Sequence, residues 1–330
     1  MTELLEGKTA IIYGGGGGIG SGVARTFARE GARVFLVGRT RAKLDSVAKD
    51  IKAAGGSAEV AELDALDELA VDNHVKTVAS KTGRIDISFN LITRGDAQGT
   101  PLVDMETDDL LRAVVNGLRT NFITARAAAR HMIKQRSGVI LHLNSASGDG
   151  SMPGMGSTGP ADSATEAFMR YLAAELGPHG IRVCGIWTAG VADTLTQEKM
   201  GAVNENVPDV ERVKEMLAGM TALRRNVTLA NVAEAAAFLA SDRAAGITGS
   251  MTNVTAVAYG DMPLFLFHLL EFMDVDYEID VDELNERWAQ VQNLDEWTQF
   301  ILKQTDEAVE LITDAPASGA TAATPSMSSV

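Results

Sequence analysis

The sequence predicts an α/β fold, a doubly wound parallel sheet of about seven strands with an acidic, mainly helical C-terminal extension. Three observations predict it. Short β-branched and aliphatic runs alternate with helical patterns along residues 9–254. A glycine-rich turn follows the first strand and opens the first helix. Acidic residues gather past residue 260, where 15 Asp and Glu face only Arg287 and Lys303, so the tail carries nearly all of the net charge of −15.

The elements follow in order. Strands are expected over 9–13 (TAIIY), 33–37, 58–63, 85–91, 138–144, 182–187 and 250–254. Helical patterns between them cover 20–30, 41–54, 110–135 and 163–176. Seven strands separated by helices fit one domain over 1–259 rather than two. The segment 191–223, rich in Glu, Met and Val, interrupts the alternation and is expected to form a helical cap over the pocket. Its Leu195, Met200, Val203, Val207, Val210, Met216 and Leu217 suggest an apolar small-molecule ligand. Over 282–313, Leu284, Trp288, Val291, Leu294, Trp297, Ile301 and Val309 recur at three- and four-residue steps, an amphipathic helix within an extension spanning 260–313. That extension is expected to pack on its own core, cover the pocket, extend an oligomer interface or bind a partner. The low-complexity end, 314–330, is expected to be disordered.

Composition excludes several classes. At 45% hydrophobic residues the chain has ample material for a core. The sole cysteine, Cys184, lies in an apolar run, which points to a reducing compartment and a buried thiol rather than a disulfide or metal site. The N-terminus has no basic signal region and enters a strand directly. The longest apolar stretch, 262–270, falls far short of the ~20 residues that span a bilayer. A cytoplasmic protein is expected. The acidity argues against nucleic acid and anionic membranes as partners.

Tyr13-Gly14-Gly15-Gly16-Gly17-Gly18-Ile19-Gly20 is the strongest motif. Side chains there would keep a pyrophosphate from the backbone, and a helix N-terminus offers N–H groups and a positive dipole end to phosphates. This sets Gly14, Gly16, Gly18, Ile19 and Gly20 as dinucleotide-binding candidates in a Rossmann-type domain.

The spacing of Gly14, Gly18 and Gly20 resembles the T-G-x-x-x-G-x-G pattern of the short-chain dehydrogenase/reductase family, with Tyr13 where a threonine is usual. Further landmarks fall in register: Asp64-Ala65, Asn90, the run from Ala173 to Val183, Phe238 to Asp242, and Ile247-Thr248-Gly249. The resemblance covers residues 6 to about 259 and implies a nicotinamide dinucleotide. Val37-Gly38-Arg39-Thr40 ends the second strand without the acid that NAD-preferring members place there. Arg39 and Thr40 are then positioned for a 2′-phosphate, favouring NADP over NAD. The resemblance further implies adenine contacts from Asp64 and Ala65, and cofactor contacts from Asn90, Gly190 and Thr194. It also implies a homo-oligomer, dimer or tetramer.

The same register puts the family's Tyr-x-x-x-Lys pair on Thr158 and Asp162, with the family's serine retained as Ser145. The family's helical asparagine falls on Gly117, with Asn116 one residue early. A threonine hydroxyl is a far weaker acid than a phenol, and a carboxylate acts on a neighbouring acid oppositely to a lysine. Ser145, Thr158 and Asp162 are the candidate catalytic residues, with Thr158 and Asp162 read alternatively as a helix-start hydroxyl and a solvated first-turn acid. Arg94 and Asp96, just past the fourth strand, are candidates for substrate contact. His142 is expected to be a satisfied core histidine.

Three functions fit. The first is an NADP(H)-dependent oxidoreductase acting on a carbonyl or alcohol with a rebuilt proton donor. The second is an isomerase or lyase reusing the fold. The third is a catalytically silent nucleotide-binding subunit of a hetero-oligomer.

Overall fold

Seven short apolar strands pair side by side, all parallel: β1 (Thr9–Tyr13), β2 (Arg33–Gly38), β3 (Ser57–Glu62), β4 (Ile87–Asn90), β5 (Gly138–Ser145), β6 (Ile181–Thr188) and β7 (Met251–Val254). Their spatial order is β3-β2-β1-β4-β5-β6-β7, so the winding reverses between β1 and β4. This is the Rossmann-type α/β arrangement, in which ligands bind at the carboxyl ends of the strands near that reversal. The computed structural model describes residues 3–145, 154–201, 209–219 and 221–256. The extension expected over 260–313 and the tail expected over 314–330 lie outside the described residues.

Helices α1 (Gly18–Arg29), α2 (Arg41–Ala53), α3 (Glu68–Thr82), α4 (Thr107–Gln135), α5 (Thr158–Leu176), α6 (Gln197–Gly201), α7 (Val210–Gly219) and α8 (Leu229–Ala240) connect the strands. Parallel strands buried on both faces read as continuous apolar runs, and β1 is buried at all five positions. Alternate residues then feed two cores. Ile12, Leu36 and Phe89 pack with Phe27, Leu44 and Leu239 from α1, α2 and α8. Ile11, Tyr13 and Val183 pack with Val75, Ala128 and Met169 from α3, α4 and α5. Cys184 is buried in the first core with a free thiol, as its apolar surroundings required. No helix among the described residues is long and apolar enough to cross a membrane.

Differences from the expected boundaries have local causes. β4 is shorter than 85–91 because the Gln135 side chain, not a neighbouring strand, takes both main-chain groups of Ile85, at 2.9 and 2.8 Å. Helix α5 begins at Thr158 rather than 163 despite Pro160. That proline sits in the first turn, where N–H groups have no intrahelical acceptor to lose. Helix α4 begins three residues early, its first turn carrying Asp108 and Asp109 at the positive end of the dipole. Among its described residues the region 191–223 carries α6 and α7 between non-helical stretches, while Val203 and Val207 lie outside the described residues.

Candidate active site

The glycine turn closes on its own backbone. Gly14 N donates to Val37 O at 2.9 Å, and Gly17 N donates to Gly14 O at 2.9 Å. Gly14 has φ +79°, and a Cβ there would stand 2.4 Å from Leu91 O. A Cβ on Gly20 would stand 2.1 Å from Gly14 O, which fixes glycine at both positions. Gly16 and Gly18 are looser, their nearest neighbours 3.0 Å from an added Cβ. Gly17 caps α1 without any side-chain hydrogen bond. The first-turn N–H groups of Gly18, Ile19 and Gly20 therefore have no intrahelical acceptor. Gly20→Ala is expected to lower unfolding free energy by about 2 kcal/mol or more in urea titration. Gly246→Ala, with nothing within 4 Å of the added Cβ, is expected to change it little.

Around this turn the sequence-selected residues divide. Arg39 is exposed and, among the described residues, has no ion-pair partner. Thr40 caps α2 beside it without a side-chain bond. Asp64 is exposed and accepts from Leu66 N at 3.0 Å, and Ala65 next to it is buried. Asn90 is buried and already engaged, its Oδ1 accepting from Ile92 N at 2.9 Å and its Nδ2 donating to Thr124 Oγ1 at 3.3 Å. Thr194 stands directly over Gly18, its Cγ2 3.0 Å from the place of a Cβ there. Gly190 has φ +47° and lies against Leu217 of α7, whose Cδ1 is 2.3 Å from the place of a Cβ there.

Sequence reasoning missed Lys199. Its Nζ donates to Thr194 O at 3.0 Å and reaches the same space above Gly18. The only signal was a lysine five residues past Thr194.

Behind the turn, at the ends of β4 and β5, charged groups meet in the interior. Asp162 on α5 is fully buried. Arg94, in the loop after β4, donates through Nη1 to Asp162 Oδ1 at 2.5 Å and through Nη2 to Asp96 Oδ1 at 2.7 Å. Ser145 Oγ, at the end of β5, donates to Asp162 Oδ2 in a short hydrogen bond. Burial pushes the Asp162 carboxyl up to about 6, against the pull of Arg94 and Ser145. The reading of Asp162 as a solvated first-turn acid is therefore corrected: the loop after β4 folds over the start of α5 and excludes water. Ser157 Oγ and N hold Ala97 there, at 2.9 and 3.1 Å.

Thr158, one turn before Asp162, is buried and accepts from Gln98 Nε2 at 2.8 Å. Gln98 is the second residue that sequence reasoning missed, although it closes the polar run begun by Arg94 and Asp96. Gly117 is explained by packing. A Cβ there would lie 2.8 Å from Arg94 Cδ, so the missing side chain makes room for the arginine stem. Asn116 Nδ2 fixes the same loop through Arg94 O at 3.1 Å. The structure thus brings Ser145, Asp162, Arg94 and Asp96 together and holds Thr158 alongside through Gln98. Among the described residues, no group of three or more His, Cys, Asp or Glu side chains is arranged to hold a metal.

His142 corrects a second expectation. The ring is buried, yet neither nitrogen has a hydrogen-bond partner among the described residues. The strand alternation that buries it supplies no polar neighbour. Burial pushes it down to about 4, against an opposing pull from the Cys184 main chain.

Comparison with known proteins places this architecture among enzymes. A family model described as enoyl-(acyl carrier protein) reductase matches residues 15–256. A protein of Euphorbia lathyris named short chain aldehyde dehydrogenase 1 is 32% identical over 253 residues, covering 75% of this chain and 86% of its own. Tropinone reductase-like 2 of Erythroxylum coca is 34% identical over 254 residues, covering 75% and 88%. Among solved structures, a 7 alpha-hydroxysteroid dehydrogenase complexed with NADH and 7-oxo glycochenodeoxycholic acid is 29% identical with a TM-score of 0.67. It covers 77% of this chain and 95% of that one.

Proposed function

The chain belongs to the short-chain dehydrogenase/reductase family, and on that footing we propose that it is an NADP(H)-dependent oxidoreductase of a carbonyl or alcohol substrate whose proton source is Asp162 acting through Ser145. The observation that carries this reading is the buried Asp162 carboxyl, pushed up to about 6 and hydrogen-bonded to Ser145 Oγ. A group poised near the working pH both gives and takes protons efficiently. It stands where the family register has a lysine, with Thr158 in place of the tyrosine.

The cradle fits a dinucleotide: two glycines admit no Cβ, and the start of α1 is uncapped. The Gly14–Gly20 turn would hold the pyrophosphate, with Lys199 added from α6. Arg39 and Thr40 would hold a 2′-phosphate, Asp64 and Ala65 the adenine, and Asn90, Gly190 and Thr194 the nicotinamide half. A nicotinamide held there would supply hydride chemistry at the carbonyl carbon. Ser145 Oγ–H gives its proton to the carbonyl oxygen as that oxygen gains charge, and takes the Asp162 proton in return. Asp162, left ionised beside Arg94, regains its proton through the half-exposed Ser145 hydroxyl once product has left. Oxidation of an alcohol runs the same steps backwards. The exposed rings of Phe122 on α4 and Tyr171 on α5 support a homo-oligomer built on those two helices.

Titration with NADPH and NADH, followed by nicotinamide fluorescence, tests the cofactor. Arg39→Ala is expected to weaken NADPH about tenfold or more, the scale of one charge-assisted hydrogen bond, and NADH little. No binding of either nucleotide overturns the proposal. One observation favours the silent-subunit reading: Ser145 and Thr158 both already take partners inside the chain. That reading predicts nucleotide binding without turnover on any carbonyl.

A further inference from the structure

A cavity of about 240 Å³ lies on the α5 face of the sheet beneath β5, β6 and β7, and the proposed reaction makes no use of it. Its polar lining is unusual. His142 is 3% exposed, and neither Nδ1 nor Nε2 finds a partner among the described residues. Gly185 in the neighbouring strand gives the ring its room: a Cβ there would stand 2.7 Å from Nε2. Glu166 is 5% exposed, and its Oε1 accepts from Trp187 Nε1 at 2.7 Å and from Asn144 Nδ2 at 3.2 Å. Its Oε2 faces Arg170 Nη1 at 4.0 Å, beyond hydrogen-bond reach. Met169, Trp187 and Met251 complete an apolar wall.

These features define a ligand. Burial holds the imidazole neutral at physiological pH, so the ring offers one N–H donor and one bare nitrogen acceptor. A hydroxyl answers both, since it donates and accepts. Glu166 Oε2 adds an acceptor whose charge Arg170 at the rim already offsets in part, which favours a neutral occupant over a cation. The volume exceeds the roughly 150 Å³ that accommodates benzene in a dry protein cavity, leaving room for one substituted ring. Trp187 and the two methionines suit an aromatic or cyclic body.

We propose that this cavity binds a small neutral ring alcohol or phenol, its hydroxyl paired with the His142 imidazole and Glu166 Oε2. The site is separate from the Asp162–Ser145 pair, and it stands or falls independently of the oxidoreductase reading.

The test uses the full chain and phenol as probe, with benzene as the ring lacking the hydroxyl. Binding is read by calorimetry and by the NMR signals of the His142 ring. Phenol is expected to bind saturably at one site with a Kd on the order of 1 mM, and benzene about tenfold more weakly or less tightly still. His142→Leu and the near-isosteric Glu166→Gln, each checked for native circular dichroism, are expected to weaken phenol by about tenfold while leaving benzene unchanged. Absence of saturable phenol binding, as when water or a second copy of the chain already satisfies the ring, overturns the proposal. So does phenol affinity that survives both substitutions.

Discussion

Asp162→Asn is expected to lower NADPH-dependent carbonyl reduction by about 10²–10⁴-fold while leaving NADPH affinity within about twofold. The amide keeps the size of the carboxyl, its oxygen can still accept from Arg94 and its NH2 can donate to the Ser145 oxygen, so the fold around it is retained. It has no acidic proton to return to Ser145. Wild-type pH dependence follows from the same residue. Reduction consumes a proton, so only protonated Asp162 serves, and its carboxyl sits at about 6 in the folded chain. Between pH 6 and pH 8 the protonated fraction falls from half to about one hundredth, so reduction is expected to fall by about 50-fold. Alcohol oxidation needs the ionised form and rises over the same interval. Initial rates in both directions, measured at saturating cofactor, check the pair of opposite slopes.

The largest stability effect is expected at Arg94. Arg94→Met removes the only cation among the described residues that is bonded to the fully buried Asp162 carboxyl, and breaking such a pair costs about 3–5 kcal/mol. The loss is pH-dependent. Without the arginine, Asp162 holds its proton to still higher pH in the folded chain than in the unfolded one. The penalty is therefore small below the unfolded carboxyl value of about 3.9 and grows as pH rises through the folded value. Urea unfolding at pH 5 and pH 8 is expected to show the variant losing more at pH 8. Arg94→Met combined with Asp162→Leu is expected to recover most of the loss, because it removes the orphaned charge as well. If the double variant is as unstable as the single one, the ion pair is not what holds the loop after β4.

The strands, the glycine turn and the two-sided winding were legible in the sequence because each depends on local pattern. Five consecutive buried residues in β1, a turn that admits no Cβ at Gly14 or Gly20, and the start of the helix after it are written within twelve residues. The state of Asp162 was not legible. Its burial and its partner come from Arg94, 68 positions away, delivered by a loop that folds over the start of α5. Gly117 carried a trace of this, since a glycine inside a long helix weakens it unless something packs against it. His142 was misjudged for a related reason. Strand alternation gives the face on which a side chain lies, here correctly the interior, but says nothing of whether a hydrogen-bonding group waits there.

The central claim, that a buried carboxyl poised near neutrality is the proton source of this site, can be read without knowing the substrate. The side-chain ¹³C signal of Asp162, assigned by its loss in Asp162→Asn, is followed from pH 3 to pH 9 in the full chain. The midpoint is expected near 6, moved upward by Ser145→Ala because the serine hydroxyl bonds the ionised form. A midpoint at or below the ordinary carboxylate value near 4 would mean that Arg94 keeps Asp162 permanently ionised. The cluster would then be a structural ion pair with no proton to give.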